Sequence, residues 1–399
     1  MADNKDKKVL NVPALRFPEF TEEWEKCKLG DITINFNLRN KDRISYPMYS
    51  VTNNRGFVPQ SEQFEDREMI GEDIKAYKII HKNDFAYNPA RINVGSIAKY
   101  NGDNPCMISS LYVCFKSCNI VDADWLMQLL KTSKMNFYYN VNGEGGVRIY
   151  LFYPNFARIS TSYPKIAEQK KIAKFLSLID ERIATQNKII EDLRKLKSAI
   201  VEMLFCIQGG VLLKLGDIGS FVRGLTYSNE DITEDINATT VIRANNLNYG
   251  NNVNKEDVVY VNKKPTEVQI LRKGDIVICM ANGSSSLVGK NSYYSFDDRH
   301  STIGAFCGVY RTSQPLVKWL MQSQRYKRLV YQSLQGGNGA IANLNGDDIL
   351  NMTFRVVEQE KSVSILSTLG LIENSIAVNE NLQELYSAQK VYLLRHLFI

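Results

Sequence analysis

Long apolar runs are missing from this sequence. No stretch of 18 apolar residues exists, which excludes an apolar spanning helix, and the opening MADNKDKKVL is charged where a secretory leader would be apolar. A soluble, cytoplasmic protein with no membrane partner is therefore expected. Histidine is scarce: the three present (81, 300, 396) lie far apart, without partners at metal-ligand spacing. The seven cysteines, an odd number at 27, 106, 114, 118, 206, 279 and 307, suit reduced thiols better than a disulfide framework. Cys114-x3-Cys118 lacks a second pair at zinc spacing, so no metal site is expected. With 10 Pro and 24 Gly in 399 residues, 44% hydrophobic and 23% charged, the chain is neither collagen-like nor disordered. Charge of one sign is not in large excess either: 49 basic against 43 acidic residues leave +6, which permits a polyanionic partner without demanding one.

Catalytic signatures are equally sparse. Gly283-Ser284-Ser285-Ser286-Leu287-Val288-Gly289-Lys290-Asn291 resembles a phosphate loop, but it has five residues between its glycines instead of four and Asn where Ser or Thr binds magnesium. It reads as a strand-connecting loop. Tyr87-Asn88-Pro89-Ala90 lacks the second proline and aromatic of an adenine-methyltransferase motif. No nuclease constellation is present. The expectation is a chain that catalyses nothing by itself.

What the sequence does have is an internal repeat. Lys28-Leu29-Gly30-Asp31-Ile32 returns as Lys214-Leu215-Gly216-Asp217-Ile218, Trp125-Leu126-Met127-Gln128 as Trp319-Leu320-Met321-Gln322, and Leu204-Phe205 as Leu397-Phe398. Lys82-Asn83-Asp84-Phe85 aligns with Lys273-Gly274-Asp275-Ile276, Asn155…Ile159 with Asn345…Ile349, and Glu168-Gln169 with Glu358-Gln359. Six anchors in one order imply a tandem duplication of about 190 residues, the size of a domain.

Each copy has two textures. The first part carries short β-rich runs (Tyr77–Ile80, Leu111–Phe115, Val258–Val261, Asp275–Ile278) with turn clusters between them, and a short helix around Trp125–Lys134 and its copy Trp319–Arg328. The second part, Lys165 to Phe205, has no Gly or Pro and places apolar residues on a heptad. The predicted seam is Leu176, Ile179, Ile183, Gln186, Ile190, Leu193, Lys197 and Ile200, answered by Leu369, Ile372, Ile376, Asn379, Tyr386, Lys390 and Leu393. Forty-one helical residues would span about 60 Å. Residues 163–207 hold nine basic and six acidic side chains, and 356–399 three and five, so opposite signs favour pairing within the chain. The Lys, Gln and Asn on the seam favour a dedicated coiled coil over an ordinary bundle helix, because polar seam residues set register.

The predicted fold is thus α+β: two mixed α/β globules separated by a long antiparallel two-helix coiled coil, with a pseudo-twofold internal repeat. The segments are an arm (1–20), a first globule (21–162), a central helical region (163–207), a second globule (208–355) and a C-terminal helical region (356–399).

Several loops mix Arg and Lys with Asn, Ser and Tyr, the side chains that contact phosphates and base edges. In the first globule the candidates are Arg39, Lys41, Arg43, Asn53, Asn54, Arg55, Arg91, Arg148 and Tyr150. In the second they are Arg223, Tyr227, Arg243, Asn245, Asn246, Asn282, Ser284 and Asn338. Any one of these loops taken alone reads as a solvated polar turn. Recurrence of Asn53-Asn54 as Asn245-Asn246, and of Gly145-Gly146 as Gly336-Gly337, favours recognition. Two diverged globules on a rigid spacer would suit double-stranded DNA with two different half-sites, and would equally suit a scaffold holding two protein partners.

The chain resembles the specificity subunit of type I restriction-modification systems. The resemblance rests on Val12-Pro13-Ala14-Leu15-Arg16-Phe17-Pro18-Glu19-Phe20 with Trp24, on Lys28–Ile32, on Pro164 followed by Glu168-Gln169-Lys170-Lys171-Ile172, and on the Leu-x-Leu-Ile-Asp run at 176–180. The second copy repeats Leu215–Ile218 and Glu358-Gln359-Glu360-Lys361 without the proline. The resemblance implies that each globule is a target-recognition domain for half of a bipartite DNA sequence. It also implies that the helices set the gap and dock two methyltransferase (M) subunits, which restriction (R) subunits then join. S-adenosylmethionine, ATP and magnesium would all sit on those partners, and none on this chain.

Overall fold

The computed structural model describes residues 10–63, 74–146, 149–206, 208–334 and 342–399. Packing divides the chain into two units. One joins Met1–Asn187 with Asn381–Ile399; the other is Lys188–Glu380.

In the first unit a four-stranded antiparallel sheet runs in the order Thr33–Phe36, Val113–Ser117, Phe85–Tyr87, Ile97–Lys99. Phe85, Ala86 and Tyr87 are all buried, as expected of a strand covered on both faces. In the second unit Gly219–Arg223, Cys307–Thr312, Ile276–Cys279 and Asn291–Tyr293 make a sheet of the same order, again with every residue of Ile276–Cys279 buried. A short antiparallel pair closes each globule: Glu25–Lys28 with Ser160–Tyr163, and Val211–Lys214 with Thr353–Val356. Both lead into one-turn Leu-Gly-Asp-Ile helices (Leu29–Ile32, Leu215–Ile218). A Cβ on Gly30 would sit 3.0 Å from that of Ala157, so a larger residue would push this turn off its neighbour.

Each of the two shorter helical runs expected around Trp125 and Trp319 is broken in two: Ala123–Leu130 and Ser133–Asn142, then Val317–Leu320 and Gln324–Leu334. The break is a capping event. The Thr132 hydroxyl accepts from the Met135 amide, and Ser323 does the same for Tyr326, so each hydroxyl starts a new helix. Leu111, expected in a strand, lies in the turn ahead of it, because the strand begins at Val113.

The long helices span Ile166–Glu202 and Gln359–His396. Gly370 lies inside the second one, where a Cβ would meet nothing within 4 Å. In the first unit Leu176 and Ile179 are buried in one core with Trp24, Phe85, Trp125, Phe156, Leu393 and Phe398. Seam residues Ile183, Tyr386 and Lys390 are half-buried there, and Gln186 is buried. Lys390 pairs with Asp180, and Arg182 lies beside Tyr386, so the two segments run antiparallel. In the second unit Ile190, Leu369, Ile372 and Ile376 are buried, while Leu193, Lys197, Ile200 and Asn379 are half-buried. Arg194 pairs with Glu380 at 2.5 Å, and Val201 and Leu204 share a core with Leu215, Trp319, Phe354 and Leu369. Each helical segment is therefore anchored to its globule as well as to its helical neighbour. Burial of one leucine such as Leu176, fully enclosed, is worth about 1.5–3 kcal/mol.

Among the described residues, no helix is long and apolar enough to cross a membrane.

Candidate nucleic-acid interface

In the second unit the candidate loops gather around one turn. Ser301–Ile303, parallel to Thr239–Ile242, passes through Gly304-Ala305-Phe306 into Cys307–Thr312. Gly304 N–H donates to Ile242 O (2.9 Å), Leu225 N–H to Ile303 O (2.7 Å), Gly224 N–H to Cys307 O (3.2 Å) and Met280 N–H to Phe306 O (2.8 Å). These bonds bring the 223–227, 243–246 and 281–283 segments to the turn. A Cβ on Gly224 would lie 2.1 Å from Gly304 O, so only glycine permits this approach.

Between the segments is a hollow of about 530 Å³ lined by Tyr227, Arg243, Asn245, Asn282 and Phe306. A smaller one, about 230 Å³, also has Phe306 in its lining, with Phe221, Arg223, Asn343 and Asn345. Asn245 donates to Asp257 Oδ2 (2.6 Å), and Arg243 Nη2 lies 3.5 Å from the same carboxylate. Asp257 therefore orients both side chains. Asn246 is buried: its amide oxygen accepts from Arg243 N–H and its nitrogen donates to Asp257 O, so it shapes the loop that carries Arg243 and Asn245. Asn282 Oδ1 accepts from the Ser284 amide (3.0 Å), and Ser284 shares a hydroxyl contact with Ser286 and lies outside the hollow.

In the first unit, Asn53, Asn54 and Arg55 are exposed at the tip of the Tyr49–Thr52 and Gly56–Pro59 hairpin. The tip is closed by the Arg55 amide donating to Thr52 Oγ1 (3.1 Å). Arg55 also pairs with Glu62 at 2.8 Å, an exposed bridge worth about 0–1 kcal/mol and easily exchanged for another anion. Arg91 lies in the neighbouring turn: a Cβ on Gly95 would be 3.3 Å from Asn53 O, and Ser96 Oγ donates to Val51 O. Leu151 N–H donates to Pro89 O, which draws Tyr150 to the same turn, where its ring stacks on Phe152 (6.3 Å, 13°). A hollow of about 410 Å³ lies beside Asn54 and Arg55, lined also by Lys99, Tyr100, Gln128 and Lys131. Burial lowers the Lys131 ammonium below its usual range, with Lys390 adding repulsion and Asp180 opposing it.

Arg39, Lys41 and Arg43 are exposed on a loop clipped shut by Asn40, whose buried amide exchanges bonds with Ile44 N–H and Ile44 O. That loop rides on Lys78–Ile80 through Ile79 N–H donating to Leu38 O, and Lys78 Nζ donates to Tyr112 O (2.6 Å). Candidates Arg148 and Asn338, and the Gly336-Gly337 match, lie outside the described residues.

Two apolar side chains escaped the sequence reading. Leu111 and Phe306 are 77% and 70% exposed, each at a turn entering the second strand of its four-stranded sheet. The Gly283–Asn291 segment is a loop containing a short 3-10 turn (Ser285–Leu287). All seven cysteines are free, and burial pushes the thiols of Cys27, Cys106, Cys114 and Cys307 up to about 12, so they stay protonated at neutral pH. Among the described residues, no group of three or more His, Cys, Asp or Glu is placed to hold a metal ion.

The Glu168-Gln169 pair is structural. Glu168 takes a bidentate pair from Arg16 (2.8 and 2.7 Å) and a bond from Trp24 Nε1. Gln169 is fully buried, accepting from Asp122 N–H and donating to the carbonyls of Pro164 and Ile120. Glu358 and Gln359 in the second copy are exposed, so the sequence match carries no such latch there.

Loops bearing Arg, Asn and Tyr around an exposed apolar side chain offer the groups that can contact phosphates and base edges. Residues 21–195 match the family model of the type I restriction modification DNA specificity domain. The type I restriction enzyme EcoKI specificity subunit of Escherichia coli is 28% identical over 165 residues, 39% of this chain and 35% of that subunit. The type I restriction enzyme MjaVIII specificity subunit of Methanocaldococcus jannaschii is 24% identical over 306 residues, 69% of this chain and 67% of that subunit. The chain spans between a third and a half of the length of the first curated relatives it matches. The fold is that of the type I restriction-modification S subunit from M. genitalium (TM-score 0.59, 14% identity, 97% of this chain and 99% of that one). By that match and these relatives, the chain resembles type I restriction-modification specificity subunits.

Proposed function

We propose that this chain selects the DNA target of a type I restriction-modification complex without catalysing methylation or cleavage itself. The globules at 21–162 and 208–355 each read one half of a bipartite sequence. The helical regions 163–207 and 356–399 pair as an antiparallel coiled coil that sets the gap, and two M subunits dock on them. S-adenosylmethionine, ATP and magnesium are held by the M and R partners.

The observation that carries this reading is the convergence of Tyr227, Arg243, Asn245 and Asn282 on one hollow. These are base-edge and phosphate-contacting side chains held on rigid strand ends. Support for docking comes from apolar side chains left exposed on the helices: Leu371 and Val378 in one unit, Leu385 and Tyr392 in the other, each seven residues apart. Alone, the modest positive charge suits a protein whose grip on DNA is completed by partners.

The test is co-expression with the M subunit of the same system, followed by mapping of N6-methyladenine. A bipartite motif is expected, and exchange of residues 208–355 for another such globule should change one half only. Absence of any bipartite motif with both subunits associated would sink the proposal. Unchanged methylation with capture of a protein on the globules would instead favour the scaffold reading.

A further inference from the structure

We infer that Leu111 and Phe306 are base-contacting residues, one for each half-site, and that both read the 5-methyl group of thymine in the major groove. The inference rests on the DNA-reading proposal and assigns chemistry to two side chains that the polar-loop argument leaves out.

An exposed hydrophobe is ordinary by itself. These two are different because they occupy corresponding places. Leu111 lies in the turn between Cys106–Ile108 and Val113–Ser117, and Phe306 in the turn between Ser301–Ile303 and Cys307–Thr312. In each case the strand that follows is the second in a four-stranded sheet of the same order. Sequence identity between the two turns is absent, yet both project a large apolar group into solvent.

The turns are also held rigidly. Around Phe306, Cys307 N–H donates to Gly304 O (2.9 Å) and the Phe306 carbonyl accepts from Met280 and Ala281. After Leu111, the Tyr112 carbonyl accepts from Lys78 Nζ and the Tyr112 hydroxyl accepts from Val51 N–H (3.2 Å). A side chain on a fixed turn loses little conformational entropy on docking. Phe306 further lines two hollows, one shared with Arg243, Asn245 and Asn282 and the other with Arg223. Amides and guanidinium groups read the donor and acceptor pattern of the major groove, where the thymine methyl is the apolar feature available to a phenyl or isobutyl group.

The test uses the chain assembled with its M subunit, comparing wild type, Leu111→Ala and Phe306→Ala by N6-methyladenine mapping. Both positions are exposed, so truncation leaves the fold intact. Phe306→Ala should relax one thymine position in one half-site by about three- to tenfold, the scale of one methyl contact, and leave the other half unchanged. Leu111→Ala should do the converse. Deoxyuridine in place of that thymine should weaken wild-type binding by a similar factor and leave Phe306→Ala indifferent. A bipartite motif that is unchanged in both variants, or a wild type indifferent to deoxyuridine, would overturn this inference alone. A wild-type complex with no bipartite motif would overturn the DNA-reading proposal and this inference with it.

Discussion

Removing the Glu168 carboxylate should unlatch the first globule from its long helix. Glu168 is 2% exposed and holds the Arg16 guanidinium through two bonds and the Trp24 indole through a third. Breaking a buried pair costs about 3–5 kcal/mol, since a charge is left without compensation. Arg16 retains some access to solvent and a bond to Glu22 O, which puts Glu168→Ala near the lower end, at about 3 kcal/mol. Arg16→Ala should cost about as much, and the double variant well under the sum, with a coupling of about 2 kcal/mol. Of the three tryptophans, Trp24 and Trp125 belong to the first unit and lie 6.0 Å apart, whereas Trp319 belongs to the second. Urea unfolding followed by fluorescence in a Trp319→Phe background therefore reports on the first unit. Additive single variants, or a Glu168→Ala loss below about 1 kcal/mol, would refute the reasoning.

Three further outcomes are expected. Gly224→Ala should destabilise the second unit by about 1–3 kcal/mol in thermal unfolding, because its Cβ meets Gly304 O, whereas Gly370→Ala should stabilise by about 0.5–1 kcal/mol since its Cβ meets open space. Burial alone would raise the Asp298 carboxyl, but bonds from Lys255, Tyr294 and Ser301 pull it down to about 2. A depressed carboxylate stabilises above its unfolded value and loses that contribution as pH falls through the folded one. Asp298→Asn should therefore cost about 1 kcal/mol at pH 7, after allowing for solvent screening, and the gap to wild type should close between roughly pH 4 and pH 2 in acid unfolding.

Much of this molecule was legible without coordinates because local side-chain periods record local structure. The heptad at 176–200 named the residues that are buried or half-buried along the first long helix, and the duplicated Leu-Gly-Asp-Ile turns mark matching corners of two sheets. Loop chemistry likewise pointed to Arg243, Asn245 and Asn282, which the fold brings to one hollow.

Other features follow from contacts that no local period records. Asn245 and Asn246 are adjacent and chemically identical, yet one lines the hollow and the other is buried as a backbone clip, a difference set by Asp257 eleven to twelve residues away. Leu111 reads as the start of a strand because alternation ignores where pairing begins; the ladder partners decide that it begins at Val113. Glu168 and Glu358 match in sequence, but Arg16, 152 residues distant in the chain, latches only the first. Sequence alone thus determined where the long helices and most of the short strands lie, since those depend on neighbours a few residues apart. Tertiary structure decided which side chains face inward, which line a hollow and which Glu-Gln pair keeps its latch, since those depend on groups that only folding brings within hydrogen-bond reach.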